Sequence, residues 1–123
     1  MSNSGNNRRR FRFPVSRRLR QSRDFERVRT EGRTLRGKLL ILGVLELEGE
    51  LAFKIGLVTS KRIGGAVVRN RLRRRLREIV RRDQARLRNG FWLVLVARPS
   101  AGRVDYASLE QEWSRLLERA EII

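Results

Sequence analysis

Apolar residues recur along this chain with two different periods, and the changes from one to the other divide it into seven elements. Phe25 and Val28 share one face of a segment that Ser22 can cap, with Asp24 and Glu26 in its first turn. The spacing predicts a helix to about Glu31, stopped by Gly32. Arg33 to Arg36 reads as a short strand, broken by Gly37. Lys38 to Leu47 is rich in Leu, Ile and Val and reads as the next strand. Glu48-Gly49-Glu50 is a turn. Leu51 to Ser60 alternates Leu51, Phe53, Ile55 and Leu57, so the two long strands are expected to form a hairpin. From about Ala66 to Leu87 the period changes. Val68, Leu72, Leu76, Ile79 and Val80 fall three and four apart, which predicts an amphipathic helix ended by Asn89-Gly90. Phe91 to Ala97 is an unbroken apolar run, the mark of a strand covered on both faces, and Trp92 within it reads as core. Arg98 to Gly102 is a loop. Asp105 can cap a last helix whose stripe is Tyr106, Leu109, Trp113, Leu116, Leu117 and Ala120. The order is α-β-β-β-α-β-α on one sheet, an α+β two-layer α/β sandwich. Its middle helix joins two parallel strands as a β-α-β crossover.

Charge changes the picture from a plain sandwich to one with a polyanionic partner. The 123 residues are enough for one domain with a modest core, and 40% hydrophobic residues argue against disorder throughout. Thirty Lys and Arg against thirteen Asp and Glu give a net charge of +17. A generally basic surface explains a modest excess, not one of this size with ordered spacing, and nucleic acid is the expected ligand. Residues 1–17 read as a flexible basic arm, either simply disordered or a phosphate tether, ahead of a single domain at 18–123. No apolar run nears the roughly 20 residues of a membrane span, and the N-terminus has no signal-peptide core, so a cytoplasmic protein is expected. Lys38, Lys54 and Lys61 are the only lysines. Arginine's planar fork suits bidentate phosphate contacts, and a GC-rich genome would give the same bias.

The cations are densest from Lys61 to Arg82, with ten basic residues and one acid, Glu78. With Leu72 at the centre of the buried face and about 100° per residue, Asn70, Arg74, Arg77 and Arg81 fall opposite it. Arg71 and Arg82 flank one side and Arg73 the other, while Arg69 and Arg75 sit near the stripe and would snorkel outward. The result is a cationic ridge about three turns long. Asn70 at its start either reads a base edge or helps cap the first turn. Ahead of it, Lys61-Arg62-Ile63-Gly64-Gly65 either cradles a phosphate on backbone N–H groups or is an ordinary strand-to-helix connection. It is not a nucleotide-binding P-loop, because the lysine precedes the glycines.

Catalysis by the chain itself is not expected. There is no cysteine and no histidine. The acids are scattered over the first helix, the turn at Glu46, Glu48 and Glu50, and the last helix, without metal-ligand spacing. Neither a catalytic residue nor a protein metal site is assigned.

The run Ser60-Lys61-Arg62-Ile63-Gly64-x-Ala66-Val67-x-Arg69-Asn70-Arg71-Leu72-x-Arg74-x-x-Arg77-Glu78 resembles the signature of the bacterial ribonuclease P protein component. Arg18-Leu19-Arg20 before Ser22-Arg23-Asp24-Phe25, the strand at 39–45 and Ala97-Arg98-Pro99 are similar to other parts of that family. The resemblance covers roughly residues 17 to 120. It implies a left-handed β-α-β crossover in a ribosomal-protein domain 2-like fold. It also implies the small subunit of a ribonucleoprotein that removes the 5′ leader of precursor tRNA, with a catalytic RNA subunit that uses Mg²⁺ and no required protein partner. On that reading Lys61, Arg62, Arg69, Asn70, Arg71, Arg73, Arg74, Arg77 and Arg81 bind RNA. Phe25, Arg29, Lys54 and Ser60 serve the leader, in a cleft between the sheet and the first helix; plain core is the competing role for Phe25. Three positions depart from the family pattern. Arg29 and Gly43 stand where aromatics are common, and Gly65 where asparagine is common. The alternatives are a ribosomal or other RNA-binding protein of related fold, a nucleoid-type DNA binder, and a cationic membrane binder. The DNA binder would need a dimer face or a groove-inserting element, neither of which the sequence offers. The membrane binder would need exposed apolar surface opposite its arginines, but that stripe is sized for a core.

Overall fold

The structure, a computed structural model, describes residues 17–123. The arm expected over residues 1–17 therefore lies outside the described residues except for Arg17, whose guanidinium stands 4.5 Å from the centre of the Phe53 ring. The elements are α1 (Ser22–Glu31), β1 (Arg33–Arg36), β2 (Leu40–Glu46), β3 (Lys54–Val58), α2 (Ala66–Asp83), β4 (Phe91–Ala97) and α3 (Tyr106–Ala120). Short 3-10 turns at Lys61–Ile63 and Pro99–Arg103 precede α2 and α3.

The four strands form one sheet in the order β1-β2-β4-β3. β4 pairs antiparallel with β2 and parallel with β3, so α2 carries the expected crossover between two parallel strands. The expected hairpin of the two long strands does not form, because β4 lies between them. A strand apolar on both faces gains most in the centre of a sheet, with a neighbour on each edge and layers above and below. The chain reaches the far side of β4 by passing its first residues: Leu47 N–H donates to Gly90 O at 2.8 Å and Gly90 N–H to Ala52 O at 3.1 Å. Leu51, read as the start of a strand, lies in this passage and is 87% exposed.

The sheet's two faces are filled differently. Leu40, Leu42, Val44, Ile55, Leu93 and Leu95 point to one face and meet Leu72, Leu76 and Ile79 of α2 and Leu109, Trp113 and Leu116 of α3. All are at most 3% exposed. Among the described residues the other face carries α1 and the segment before it, with Val28 packing on Leu19, Leu45 and Val94.

Two helix limits differ from the sequence reading. α1 begins at Ser22 with Gln21 as its N-cap residue, and no side chain caps it. α2 ends at Asp83 rather than Leu87. Leu87 is still buried, so the apolar period outlasts the helix. Asp83 accepts from Trp113 Nε1 at 2.8 Å, which ties the end of α2 to α3. α3 is capped as expected, with Asp105 accepting from Ser108 N–H at 2.9 Å. Glu112, which no sequence pattern singles out, turns inward on α3 and is 7% exposed. Its carboxylate accepts from the N–H groups of Lys38, Leu39 and Leu40 at 3.1, 2.6 and 2.5 Å. A side chain at Gly37 would run into that carboxylate, so the tight β1–β2 turn and Glu112 require each other.

Candidate nucleic-acid interface

α2 buries Leu72, Leu76, Ile79 and Val80 and turns the rest of its surface outward. Asn70, Arg71 and Arg74 are exposed, and Lys61 and Arg62 stand exposed on the turn before the helix. The other predicted cations are placed differently. Arg69 is half-buried, and its Nε has no hydrogen-bond partner among the described residues. Arg75 donates to Val104 O at 3.1 Å and Arg82 to Glu110 at 3.3 Å, both toward the α3 side. Arg81 is paired with Glu78, and its side chain is only 17% exposed. That pairing, through the Arg81 hydrogen bond, holds the Glu78 carboxyl below its ordinary value. Arg73 and Arg77 lean to the opposite side, toward β3. Arg73 donates to Thr59 Oγ1 at 2.6 Å. Thus Asn70, Arg71 and Arg74 form an outward row, while half-buried Arg73 and exposed Arg77 lie on the β3 side of the helix.

The open face of the sheet has its own recess. Gly43 and Gly56 both pair with Val94, giving a row of small residues across three strands. α1 settles onto it, with Val28 over Gly43 and the Phe25 ring over Gly56. A Cβ at Gly56 would run into the Phe25 ring, and one at Gly43 would crowd the Val28 side chain at 3.1 Å. The space above Gly43 belongs to α1. Beside α1 no described residue covers the sheet, and a cleft of about 490 Å³ opens between Phe25 and Arg29 on the helix and Ile41, Val58 and Val96 on the strands. It therefore has an apolar floor and a charged wall.

Of the four residues expected at a leader site, the structure brings Phe25 and Arg29 to this cleft. Arg29 is paired there with Glu26, whose carboxyl is held below its ordinary value by that hydrogen bond. Lys54 and Ser60 lie off the cleft. Lys54 sits at the start of β3, its ammonium 5.9 Å from the centre of the Trp92 ring, and Ser60 is exposed before the 3-10 turn. Trp92 is not in the main core. It lies half-buried on the α1 side, donates from Nε1 to Glu50 at 3.0 Å, and has the Arg27 guanidinium 5.6 Å from its ring centre. An apolar run with no alternation does not say which face a residue takes, and hence how deeply it is buried. Sequence reasoning also gave Arg18 no more than a place in a motif. The structure puts it in a parallel bridge with Ile55, close to Arg73 and Arg77. Among the described residues no group of three or more Asp, Glu, His or Cys could hold a metal ion. No helix among them is long and apolar enough to cross a membrane.

Comparison with known proteins agrees with the motif and with the fold. The sequence matches the Ribonuclease P family over residues 13–121. It is 36% identical over 108 residues to the ribonuclease P protein component of Brevibacillus brevis, covering 88% of this chain and 86% of that one. It is 41% identical over 104 residues to the protein of the same description from Chloroflexus aurantiacus, covering 84% and 76%. Among solved structures, the RNase P protein from Thermotoga maritima superposes with a TM-score of 0.74 at 31% identity, over 83% of this chain and 96% of that one. The RNase P protein of Staphylococcus aureus gives 0.80 at 21% identity over 86% and 96%, a likeness of fold. An arginine-rich crossover helix on a four-stranded α+β sheet, with this signature and these relatives, places the chain in the family of bacterial ribonuclease P protein components.

Proposed function

We propose that this chain is the non-catalytic, RNA-binding protein subunit of a ribonuclease P ribonucleoprotein, working in the cytoplasm in endonucleolytic 5′ maturation of tRNA. In this reading it binds the catalytic RNA through the outward row of α2 and the 5′ leader of precursor tRNA in the cleft beside α1. The observation that carries it is the presence of two unlike surfaces on one small domain. One is a solvent-facing row of Arg and Asn on a helix whose other side is core, suited to a folded RNA backbone. The other is an apolar-floored cleft with one aromatic, Phe25, and two arginines, Arg29 and Arg36, suited to unpaired nucleotides. The acids of the described residues do not gather into a group that fits Mg²⁺. The ion is accordingly assigned to the RNA subunit, where it would supply the Lewis acid and the activated water of phosphodiester hydrolysis. The protein's part is to bind, orient and neutralise charge.

Cleavage of precursor tRNA with and without a bacterial ribonuclease P RNA tests this. The purified chain alone should cleave nothing, and it should raise cleavage at low salt and limiting Mg²⁺ when the RNA is added. Processing by scrupulously pure protein without RNA would overturn the non-catalytic assignment. Equal binding of duplex DNA and structured RNA at matched salt would overturn the RNA assignment.

A further inference from the structure

Trp92 belongs neither to the outward row of α2 nor to the cleft beside α1, yet three segments of the chain converge on it. Its Nε1–H donates to Glu50, in the passage before β3, at 3.0 Å. The Lys54 ammonium at the start of β3 stands 5.9 Å from its ring centre. The Arg27 guanidinium of α1 lies over the ring at 5.6 Å. Glu31, one turn further along α1, accepts from Arg27 Nε at 3.1 Å and from Nη2 at 3.2 Å, which keeps that guanidinium in place. On the open face of the sheet, successive rows across β2, β4 and β3 are Leu45-Trp92-Lys54, Gly43-Val94-Gly56 and Ile41-Val96-Val58. α1 rests on the middle row, and the third row is the floor of the cleft. Trp92 therefore stands on the flank of α1 that faces away from the cleft.

α1 has few other contacts to fix its orientation. It has ten residues, no side-chain N-cap, and Val28 as its one buried residue. A helix so short is not held by its own hydrogen bonds. At about 100° per residue, Arg27 and Arg29 project to opposite sides of Val28. Phe25 rests on Gly56 toward the cleft side, so Arg27 opposes it from the other flank. Whatever holds Arg27 sets how far α1 rolls about Val28, and with it the height of Phe25 and Arg29 over the cleft floor. We propose that Trp92 is a positioning residue: by holding Arg27 it sets the roll of α1 and so the opening of the cleft. Its consequence for substrate rests on the reading of that cleft as the leader site. A stacking platform for a base needs a ring face to spare, whereas this ring already holds Arg27 and Lys54. The clamp cannot transmit more free energy than it contains. An exposed cation–π contact corresponds to about a 2- to 5-fold change in an equilibrium constant, which sets the size of the effect.

The test uses the full chain reconstituted with a bacterial ribonuclease P RNA. Trp92→Leu keeps an apolar side chain and the net charge but offers no π face. It should weaken precursor tRNA binding about 2- to 5-fold, raising KM and leaving kcat as it was, with mature tRNA and RNA-subunit affinities unchanged. No phosphate contact is lost, so the salt slope of precursor binding should stay the same. Trp92→Phe should restore most of the affinity. In an Arg27→Leu background, Trp92→Leu should cost nothing further. The chain has no cysteine, so spin labels on Ser22→Cys and Thr34→Cys report the cleft, which both residues line. Their separation should shift or broaden in Trp92→Leu and return in Trp92→Phe. Arg27→Leu, at an exposed site, should move the labels in the same way and decides the matter if Trp92→Leu does not fold. If precursor binding weakens while the labels keep their separation, Trp92 acts on RNA directly or only through stability, and the proposal is wrong. If the labels move and the preference for precursor over mature tRNA is untouched, the roll of α1 does not govern the site and the proposal fails alone. A wild-type enzyme with no preference for precursor would overturn the leader reading and this proposal with it.

Discussion

The two faces of the sheet are made by the same four strands, alternating residue by residue, and they differ in how far they are filled. On the α2/α3 side Leu42, Leu93 and Leu95 are fully buried under two helices. On the α1 side Ile41, Val58 and Val96, which alternate with the core positions along the same strands, remain partly in solvent at the floor of a cleft. The closed face supplies the stability, since each fully buried Leu or Ile contributes about 1.5–3 kcal/mol over leaving it exposed. The open face leaves some of that contribution unrealised and keeps surface for a ligand. Gly43 and Gly56, either side of Val94, let α1 lie low on one half of it, and no described residue covers the other half.

The largest effects should therefore appear on the closed face. Leu76→Ala removes a side chain with no exposure and should cost about 2–5 kcal/mol in chemical denaturation. Ile41→Ala on the cleft floor should cost clearly less, because the site is already open to water. It should instead weaken precursor binding. Equal destabilisation by the two would mean that the faces do not divide in this way.

The outward row of α2 offers the next contrast, on the far side of the same helix as Leu76. Replacing Asn70, Arg71 and Arg74 by alanine leaves the core intact and should move thermal stability by no more than about 0.5 kcal/mol per site. RNA-subunit affinity should fall steeply. Its salt dependence should flatten by roughly 0.7–0.9 units of slope for every phosphate that the variant no longer neutralises. Arg115→Ala, exposed on α3, is the control. If it weakens RNA-subunit binding as much as one of the row residues, association follows net charge and not position.

Much of this division is legible in the sequence. The three-and-four spacing from Leu72 to Val80 gave the buried side of α2, and the unbroken run at 91–97 gave a doubly covered strand. What the sequence did not reveal were properties of pairs of distant residues. Nothing local says that β4 will separate β2 from β3, since alternation sets which way side chains point and not which strand lies alongside. The helical wheel put Arg77 and Arg81 together on one ridge. Contacts separate them, because Glu78 lies one turn before Arg81, and Arg18 arrives from the other end of the domain. Glu112 was invisible for the same reason: its three backbone partners are more than seventy residues away.

A smaller effect separates packing from recognition at Phe25, at the edge of the open face. Phe25→Ala removes a ring that lies on Gly56 and should lower stability somewhat. Its distinguishing consequence is in binding. Precursor tRNA should lose about 1–3 kcal/mol, the range for stacking one base on an aromatic ring, while mature tRNA loses little. Equal losses for both substrates would return Phe25 to the core.

The smallest effect lies at the rim of the cleft, where Arg29 is held by Glu26. An arginine already paired with a carboxylate offers a phosphate less net charge than a free one. Glu26→Gln should release it, so precursor binding should tighten by a few-fold at low salt, with a slope steeper by up to about 0.7 units, and mature tRNA binding should stay as it was. The same pair makes a prediction in pH. The folded-state value of Glu26 is lowered, so its contribution to holding α1 is fully present above the ordinary carboxyl value of 4.5 and fades as pH falls through the lower folded value. Between neutral pH and about pH 5 the pair stays charged, and wild-type and Glu26→Gln protein should keep a constant ratio of precursor affinities. A ratio that closes well above pH 5 would mean that Glu26 titrates without Arg29's support, and that Arg29 is free to meet the leader without any substitution.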